Sequence, residues 1–377
     1  MTRAKLFLIC TGLGRVNRGF ESYISDLAEH LTESRSEKYL VQVYAGAYLN
    51  AMRYNAVRII NISRNNPILL KLKFSIQRLF SIEQKSFFVF LVPHILFKRP
   101  KAIYLGEYNL YCYLFKLRKL LSLKYSLVLY TGGQASPGLF DMGKDYVHHV
   151  TDVYYADLLK RGIHEERQFI IPHFLNTNFE VRRNLVEQIR NRASGKKIVI
   201  SVGMIDKSVK RMHLITAVLG SLVDSVFPIL LGEWTNESEE IKQLMVERFG
   251  ADGFIIGKTD RVELGSYYAV ADAFILCSKK ESFGLVFLEA MYFDTPVICH
   301  DFYESRYVLR DNAHFMDMDD IDSFKENINA LIPKLKKESI LNLFVRQNYT
   351  WQVLREPYNT MFDKVMEVNT TNSGITV

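Results

Sequence analysis

The sequence predicts an α/β protein built from two doubly wound parallel-sheet domains facing a cleft, and three observations predict it. At 377 residues the chain exceeds what a single hydrophobic core usually serves. Short apolar runs alternate with segments of helical periodicity in both halves, the pattern of strands joined by crossover helices. A polar, charged stretch over residues 180–197 separates the two alternations and reads as an interdomain connector.

The first domain is expected over residues 1–180. It opens on a strand at 5–10 and a glycine-bearing loop, Thr11-Gly12-Leu13-Gly14-Arg15. A helix follows, because Phe20, Tyr23, Ile24, Leu27, Ala28 and Leu31 fall on one face. Further strands are expected at 40–45, 57–62, 102–105, 127–130 and 169–171. The second domain, residues 181–350, repeats the scheme with strands at 198–202, 227–231, 254–256, 273–277 and 296–299. Helices are expected there at 214–223, 238–249, 262–271 and 285–293. A terminal helix over 351–368 can cross back onto either domain, and 369–377 reads as a disordered tail.

Composition narrows the function classes. The four cysteines, Cys10, Cys112, Cys277 and Cys299, show no Cys-x-x-Cys pairing, so buried reduced thiols and a reducing, cytoplasmic compartment are expected. The adjacent pair His148-His149 cannot share one face of a strand or helix, and no metal site is expected. The longest apolar stretch, 87–97, contains Pro93 and His94 and falls short of a membrane span. Net charge is +7, unevenly spread. Residues 1–185 carry 26 Lys+Arg against 14 Asp+Glu, a balance of +12, and the rest 22 against 27, a balance of −5. Between Arg53 and Lys124, 14 basic residues face only Glu83 and Glu107. Two readings of that stretch stay open: a solvated basic face on half-buried helices, or a surface lying on an anionic leaflet. Aromatics interleave with the cations, but no nucleic-acid recognition motif is present, and no nucleic acid is expected as a partner.

The chemistry concentrates in Ser278-Lys279-Lys280-Glu281-Ser282-Phe283-Gly284-Leu285-Val286-Phe287-Leu288-Glu289. A buried strand ends at Ser278, a polar loop carries Glu281, and a helix begins near Leu285. Gly284 lets backbone approach a ligand closely, and the amides of Phe283, Gly284 and Leu285 form an anion- or oxygen-binding edge. Glu281 stands at the lip of that edge. Glu289, further along the helix, can accept paired hydrogen bonds from vicinal hydroxyls such as those of a ribose. Upstream, Gly203 turns the chain after a strand and Lys210-Arg211 presents two cations, which suit a leaving diphosphate.

Two glutamates with seven residues between them, in this setting, resemble the signature of retaining glycosyltransferases of the two-Rossmann-domain (GT-B) fold, and most of all family 4 of their standard classification. The flanking Thr295-Pro296-Val297-Ile298 and the loop Gly257-Lys258 resemble the same family. The match runs over residues 198–315. The resemblance implies Glu281, Lys210 and Arg211 as catalytic residues, with Lys207 competing with Arg211 to replace the arginine that Met204 displaces. It implies donor contacts from Glu289, Ser282, Phe283, Gly284, Leu285, Gly203, Lys258 and Gly14. In the first half, Arg18-Gly19-Phe20-Glu21 is similar to the family's glycine loop. Two segments depart from the pattern: Thr131-Gly132-Gly133-Gln134, where many relatives carry a histidine, and Ile171-Pro172-His173-Phe174.

The implied activity is metal-independent transfer of a hexosyl group from a nucleotide-diphosphate sugar to an acceptor hydroxyl. No cofactor is expected. The acceptor is expected to be a saccharide or lipid-linked saccharide in surface polysaccharide or glycolipid assembly, with the enzyme peripheral on the inner face of the plasma membrane. Two alternatives stay open: a catalytically silent nucleotide-sugar-binding scaffold, and an epimerase or phosphorylase of the same architecture.

Overall fold

A computed structural model describes residues 3–16, 19–35, 37–48, 54–72, 74–132, 138–337 and 339–367. Arg18, Arg53, Gly133, Gln134 and the expected tail 369–377 lie outside the described residues. The chain divides into two units, Met1–Pro172 with Arg355–Val377, and His173–Leu354.

The first unit is a seven-stranded sheet of β1 (Ala4–Cys10), β2 (Tyr39–Ala45), β3 (Ala56–Arg58), β4 (Ala102–Leu105), β5 (Ser126–Thr131), β6 (Tyr146–His149) and β7 (Gln168–Ile170). Its order is β3-β2-β1-β4-β5-β6-β7, and every pair is parallel. The second unit has six strands, β8 (Lys197–Val202), β9 (Val226–Leu231), β10 (Ile255–Gly257), β11 (Ala273–Leu276), β12 (Val297–His300) and β13 (His314–Met316). They run parallel in the order β10-β9-β8-β11-β12-β13. Both orders reverse direction beside their first strand, at β1/β4 and at β8/β11, so each unit is a Rossmann-like doubly wound sheet. The fold is GT-B, as the sequence predicts.

Strands that helices cover on both faces must be apolar along their length. Val199, Ile275 and Ile298 accordingly pack with Ile215, Ile241 and Phe324 from the second unit's helices. In the first unit Phe7, Ile103 and Leu127 pack with Phe87 and Leu91.

Several sequence expectations need correction. Residues 180–197 are not an open connector, because Arg183–Ala193 forms a helix with Ile189 and Ala193 buried. The boundary falls at Pro172/His173 rather than 180/181, since residues 173–182 already bond within the second unit. Leu175 N–H donates to the Tyr349 carbonyl at 2.6 Å, Glu180 N–H to Val262 at 3.2 Å, and Arg182 N–H to Ser266 Oγ at 2.9 Å. Helix Trp351–Glu367 supplies residues to both units, dividing at Leu354/Arg355. The strand expected at 57–62 ends at Arg58.

The 87–97 run belongs to a longer helix, Ile76–Lys98, of 23 residues. By length and composition that helix could cross a membrane, since an 18-residue window within Gln77–Lys98 has mean hydropathy 1.3. Its Leu79, Phe87, Leu91 and Ile95 are buried, the spacing of a helix seated on its own sheet. Arg118, counted above with the basic face, is instead buried. It forms a bidentate pair with Asp145, whose Oδ2 accepts from Nη2 at 2.8 Å.

His148 and His149 lie in β6, a strand the sequence analysis missed. Their rings are consumed by hydrogen bonds. His148 meets the Tyr104 hydroxyl at 2.7 Å and the Ile171 carbonyl at 2.8 Å. His149 meets Thr131 Oγ1 at 3.0 Å and Gln168 Oε1 at 2.8 Å. Burial holds both neutral, with pKa values down to about 3 and about 4. Cys10, Cys277 and Cys299 are free and buried, and Cys112 is half-buried.

Candidate functional site

The parallel register sets Phe274 of β11 opposite Ile200 of β8, so both strands reach the same edge together. Ligands of doubly wound sheets bind at that carboxyl edge, beside the reversal of strand order. Two loops leave the edge side by side, 203–211 from β8 and 277–284 from β11.

In the first loop Gly203 N–H still donates to the Leu231 carbonyl at 2.9 Å. A Cβ on Gly203 would stand 3.1–3.2 Å from the Cγ, Cδ and Cε of Lys210. Glycine there lets the lysine stem lie across the backbone. Asp206, buried, folds the loop: its Oδ1 accepts from the amides of Val209 at 2.9 Å and Lys210 at 2.7 Å. The result aims the Lys210 ammonium at Glu281 Oε1, with which it forms an ion pair. Those side chains are only 15% and 13% exposed, so the pair is shielded from solvent.

The second loop ends in Gly284, which precedes helix Leu285–Tyr292 with φ 78°. Two constraints require glycine here. The dihedral is left-handed, and a Cβ would clash with the Phe287 ring. Among the described residues the amides of Phe283, Gly284 and Leu285 have no hydrogen-bond acceptor. Glu289, one turn into the helix, is buried, and its Oε2 accepts from the Tyr268 hydroxyl at 2.9 Å. Burial and then the Glu289 charge raise the Tyr268 pKa well above its usual value, so the phenol keeps its proton and donates.

The structure thus gathers Gly203, Lys210, Glu281, Ser282, Phe283, Gly284, Leu285 and Glu289 at one edge of one sheet. It does not gather all the sequence candidates. Arg211 follows Lys210 but turns away, its Nε donating to the Cys277 carbonyl at 2.5 Å and its Nη1 pairing with Asp319. Lys207 pairs with Glu240. Lys258 follows β10 at the same carboxyl edge but two strands from β8, and is paired with Glu233 at 2.7 Å. Gly14 belongs to the first unit, in the turn after β1, with φ 80°.

Sequence reasoning missed Tyr268 and Asp206. Tyr268 was legible only as part of a helix, and Asp206 only as one polar residue in a loop. His300, Asp317 and Asp319 lie close enough to suggest a cation site. However, His300 Nδ1 accepts the Met318 amide at 3.0 Å, which places the ring proton on Nε2 and removes the imidazole lone pair from that group.

Residues 183–342 match the family model described as glycosyl transferases group 1. O-antigen chain mannosyltransferase B of Escherichia coli is 30% identical over 104 residues, which is 27% of this chain and 27% of that protein. The chain therefore aligns with about a quarter of that relative's length. Among solved structures, sucrose-phosphate synthase from Thermosynechococcus elongatus superposes with TM-score 0.76 at 16% identity, covering 96% of this chain and 99% of that one. Anabaena HepE in complex with UDP-glucose gives 0.73 at 14% identity, covering 95% and 99%. By family model over residues 183–342, and by fold over nearly its whole length, the chain is similar to the glycosyltransferases of the GT-B fold.

Proposed function

We propose that the protein is a retaining hexosyltransferase of family 4 that uses a nucleotide-diphosphate sugar. The observation that carries this reading is the shielded Lys210–Glu281 pair beside a row of open amides and a buried Glu289, all at the β8/β11 edge. In this scheme Glu289 accepts hydrogen bonds from the ribose hydroxyls, and the amides of 283–285 hold sugar hydroxyls and phosphate oxygens. Glu281 contacts the donor sugar near the reacting carbon.

The acceptor hydroxyl attacks the anomeric carbon from the face that the diphosphate leaves. The bond from that carbon to the diphosphate oxygen breaks, the new glycosidic bond forms, and a leaving phosphate oxygen takes the acceptor proton. Configuration is therefore retained. Negative charge builds on the diphosphate, and the Lys210 ammonium offsets it. In this scheme a side-chain cation does that work and no cofactor is required. A panel of nucleotide sugars, screened by thermal stabilisation and followed by product analysis with saccharide acceptors, tests the reading. Donor consumption that yields an epimer without acceptor would overturn it.

Glu289→Ala is expected to weaken nucleoside-diphosphate binding by about 1.5–3 kcal/mol, because a buried charged acceptor is lost from the ribose. Calorimetric titration checks this. Unchanged affinity would remove Glu289 from the ribose role.

The proposed setting is surface polysaccharide or glycolipid assembly at the cytoplasmic face of an anionic membrane, reached through residues 53–124. Helix Ile76–Lys98 buries one face and exposes Val89, Phe90, Leu96 and Phe97 on the other. Leu120 and Leu121, where helix Tyr108–Leu120 ends, are also exposed. Apolar side chains within a basic surface match the headgroup boundary of an anionic bilayer. The protein is expected to co-sediment with phosphatidylglycerol vesicles and not with phosphatidylcholine vesicles. Phe97→Asp with Leu120→Asp should reduce that binding about tenfold or more. Equal binding to both lipids would overturn the anionic surface as partner.

A further inference from the structure

A second set of cations faces the other side of the turn that presents Lys210. A cavity of about 420 Å³ opens there, lined by Lys207, Arg211, His213, Lys279, Asp319 and neighbouring apolar groups. Arg211 is the pivot. It takes a left-handed backbone conformation, φ 52° and ψ 41°, immediately before helix Met212–Leu219. This conformation costs a non-glycine residue about 1 kcal/mol, and it sends the guanidinium away from the ammonium of its neighbour.

The Arg211 side chain is 6% exposed. Its Nε and Nη1 are bonded as described above, but the buried Nη2 has no partner among the described residues. His213, also lining the cavity, has a buried Nδ1 without a partner among them. Burial, reinforced by Lys207 and Arg211, lowers the pKa of that ring, so it is neutral and able to donate one N–H.

Acids face the same groups. Glu240 holds the Lys207 ammonium from outside, and Glu237 accepts the Lys207 amide at 2.8 Å. Among the described residues, only Asp319 pairs with the guanidinium from the cavity lining, and its side chain is 56% exposed. An exposed carboxylate on a buried guanidinium occupies the position that an oxyanion ligand would take. An arginine fork recognises carboxylate and phosphate by the same paired geometry.

We propose that this cavity binds a phosphate group at a site separate from the donor site, with Arg211, Lys279 and His213 as its donors. Asp319 holds the guanidinium until the ligand displaces it. The volume exceeds what a bare ion fills and falls in the range of small-molecule pockets, which favours the phosphate monoester of a small metabolite over free phosphate. The inference does not depend on the donor reading, because it uses the opposite side of the turn.

Calorimetric titration of the full chain with inorganic phosphate and with a hexose monophosphate tests it. Both are expected to bind, the ester more tightly. Lys279 is exposed and its removal leaves the fold intact, so Lys279→Ala should weaken binding about tenfold. Asp319→Ala should strengthen binding, which a merely structural role for that carboxylate would not do. Nucleoside-diphosphate affinity should be unchanged in Lys279→Ala. The proposal is overturned if neither ligand binds, if Asp319→Ala leaves affinity unchanged or weaker, or if binding survives Lys279→Ala and disappears in Lys210→Ala. Tighter binding of inorganic phosphate than of the ester would overturn the monoester assignment.

Discussion

Lys210→Ala is expected to lower kcat by about 10²–10³-fold, the loss typical when one preorganised group is removed from developing charge. The reason lies in the geometry of the first loop. Asp206 fixes the Lys210 backbone, Gly203 gives the stem its path, and Glu281 holds the ammonium ready. In the proposed reaction a cation held this way needs no reorganisation as the diphosphate departs. Steady-state transfer at saturating donor is the measurement. Lys210→Arg keeps the charge but not the compact ammonium that fits over Gly203, and it should recover only part of the rate. A kcat within about fivefold of wild type in Lys210→Ala would remove the lysine from leaving-group stabilisation.

Asp145→Ala is expected to destabilise the first unit by about 3–5 kcal/mol. Asp145 is fully buried and its carboxylate accepts five hydrogen bonds. Its Oδ1 accepts from Arg118 Nη1 at 2.5 Å and the Leu127 amide at 3.1 Å. Its Oδ2 accepts from Arg118 Nη2 at 2.8 Å, the Tyr111 hydroxyl at 3.0 Å and the Asp141 amide at 3.0 Å. Removing the carboxylate leaves a guanidinium whose side chain is 2% exposed with the Tyr125 carbonyl at 3.0 Å and the more distant Asp141 carboxylate at 3.6 Å, neither of which replaces the bidentate pair. Burial alone disfavours that charge, yet the bonds with Asp145 leave the Arg118 pKa raised. Calorimetric unfolding should show the transition of the first unit moving down while that of the second stays in place. Apolar replacement of both partners should cost far less than Asp145→Ala alone. A loss below about 1 kcal/mol in Asp145→Ala would show that the pair is not a structural hub.

Much of this architecture was legible in the sequence, and the failures have specific causes. Both sheets were visible because their central strands carry apolar runs such as 198–200 and 102–105. β6 was missed because Tyr-Val-His-His looks polar; its histidines are compatible with burial only through Tyr104, Thr131, Gln168 and the Ile171 carbonyl, all distant in sequence. β13 is three residues long and carries too little pattern to identify. The helix Arg183–Ala193 has just two buried positions, so no apolar stripe revealed it.

The candidate site was legible where its spacing is local, from Ser278 to Glu289. It was not legible where direction matters. Lys210 and Arg211 are adjacent, and only the left-handed turn at Arg211 shows that their charges point apart. Arg118 reads as one more surface cation until Asp145, 27 positions on, is placed against it.

The return of residues 355–367 to the first unit has a consequence for biosynthesis. Tyr358 and Phe362 are completely buried there: Tyr358 packs against Tyr23 and His148 and donates to the Pro172 carbonyl at 2.9 Å, and Phe362 packs against Tyr104. Domains generally fold as they leave the ribosome, the amino-terminal one first. Here the order of completion is inverted. Residues 173–354 are all translated before the aromatic wedge that the earlier unit awaits, so a nascent chain reaches that point with a hollow in its first sheet's helical layer.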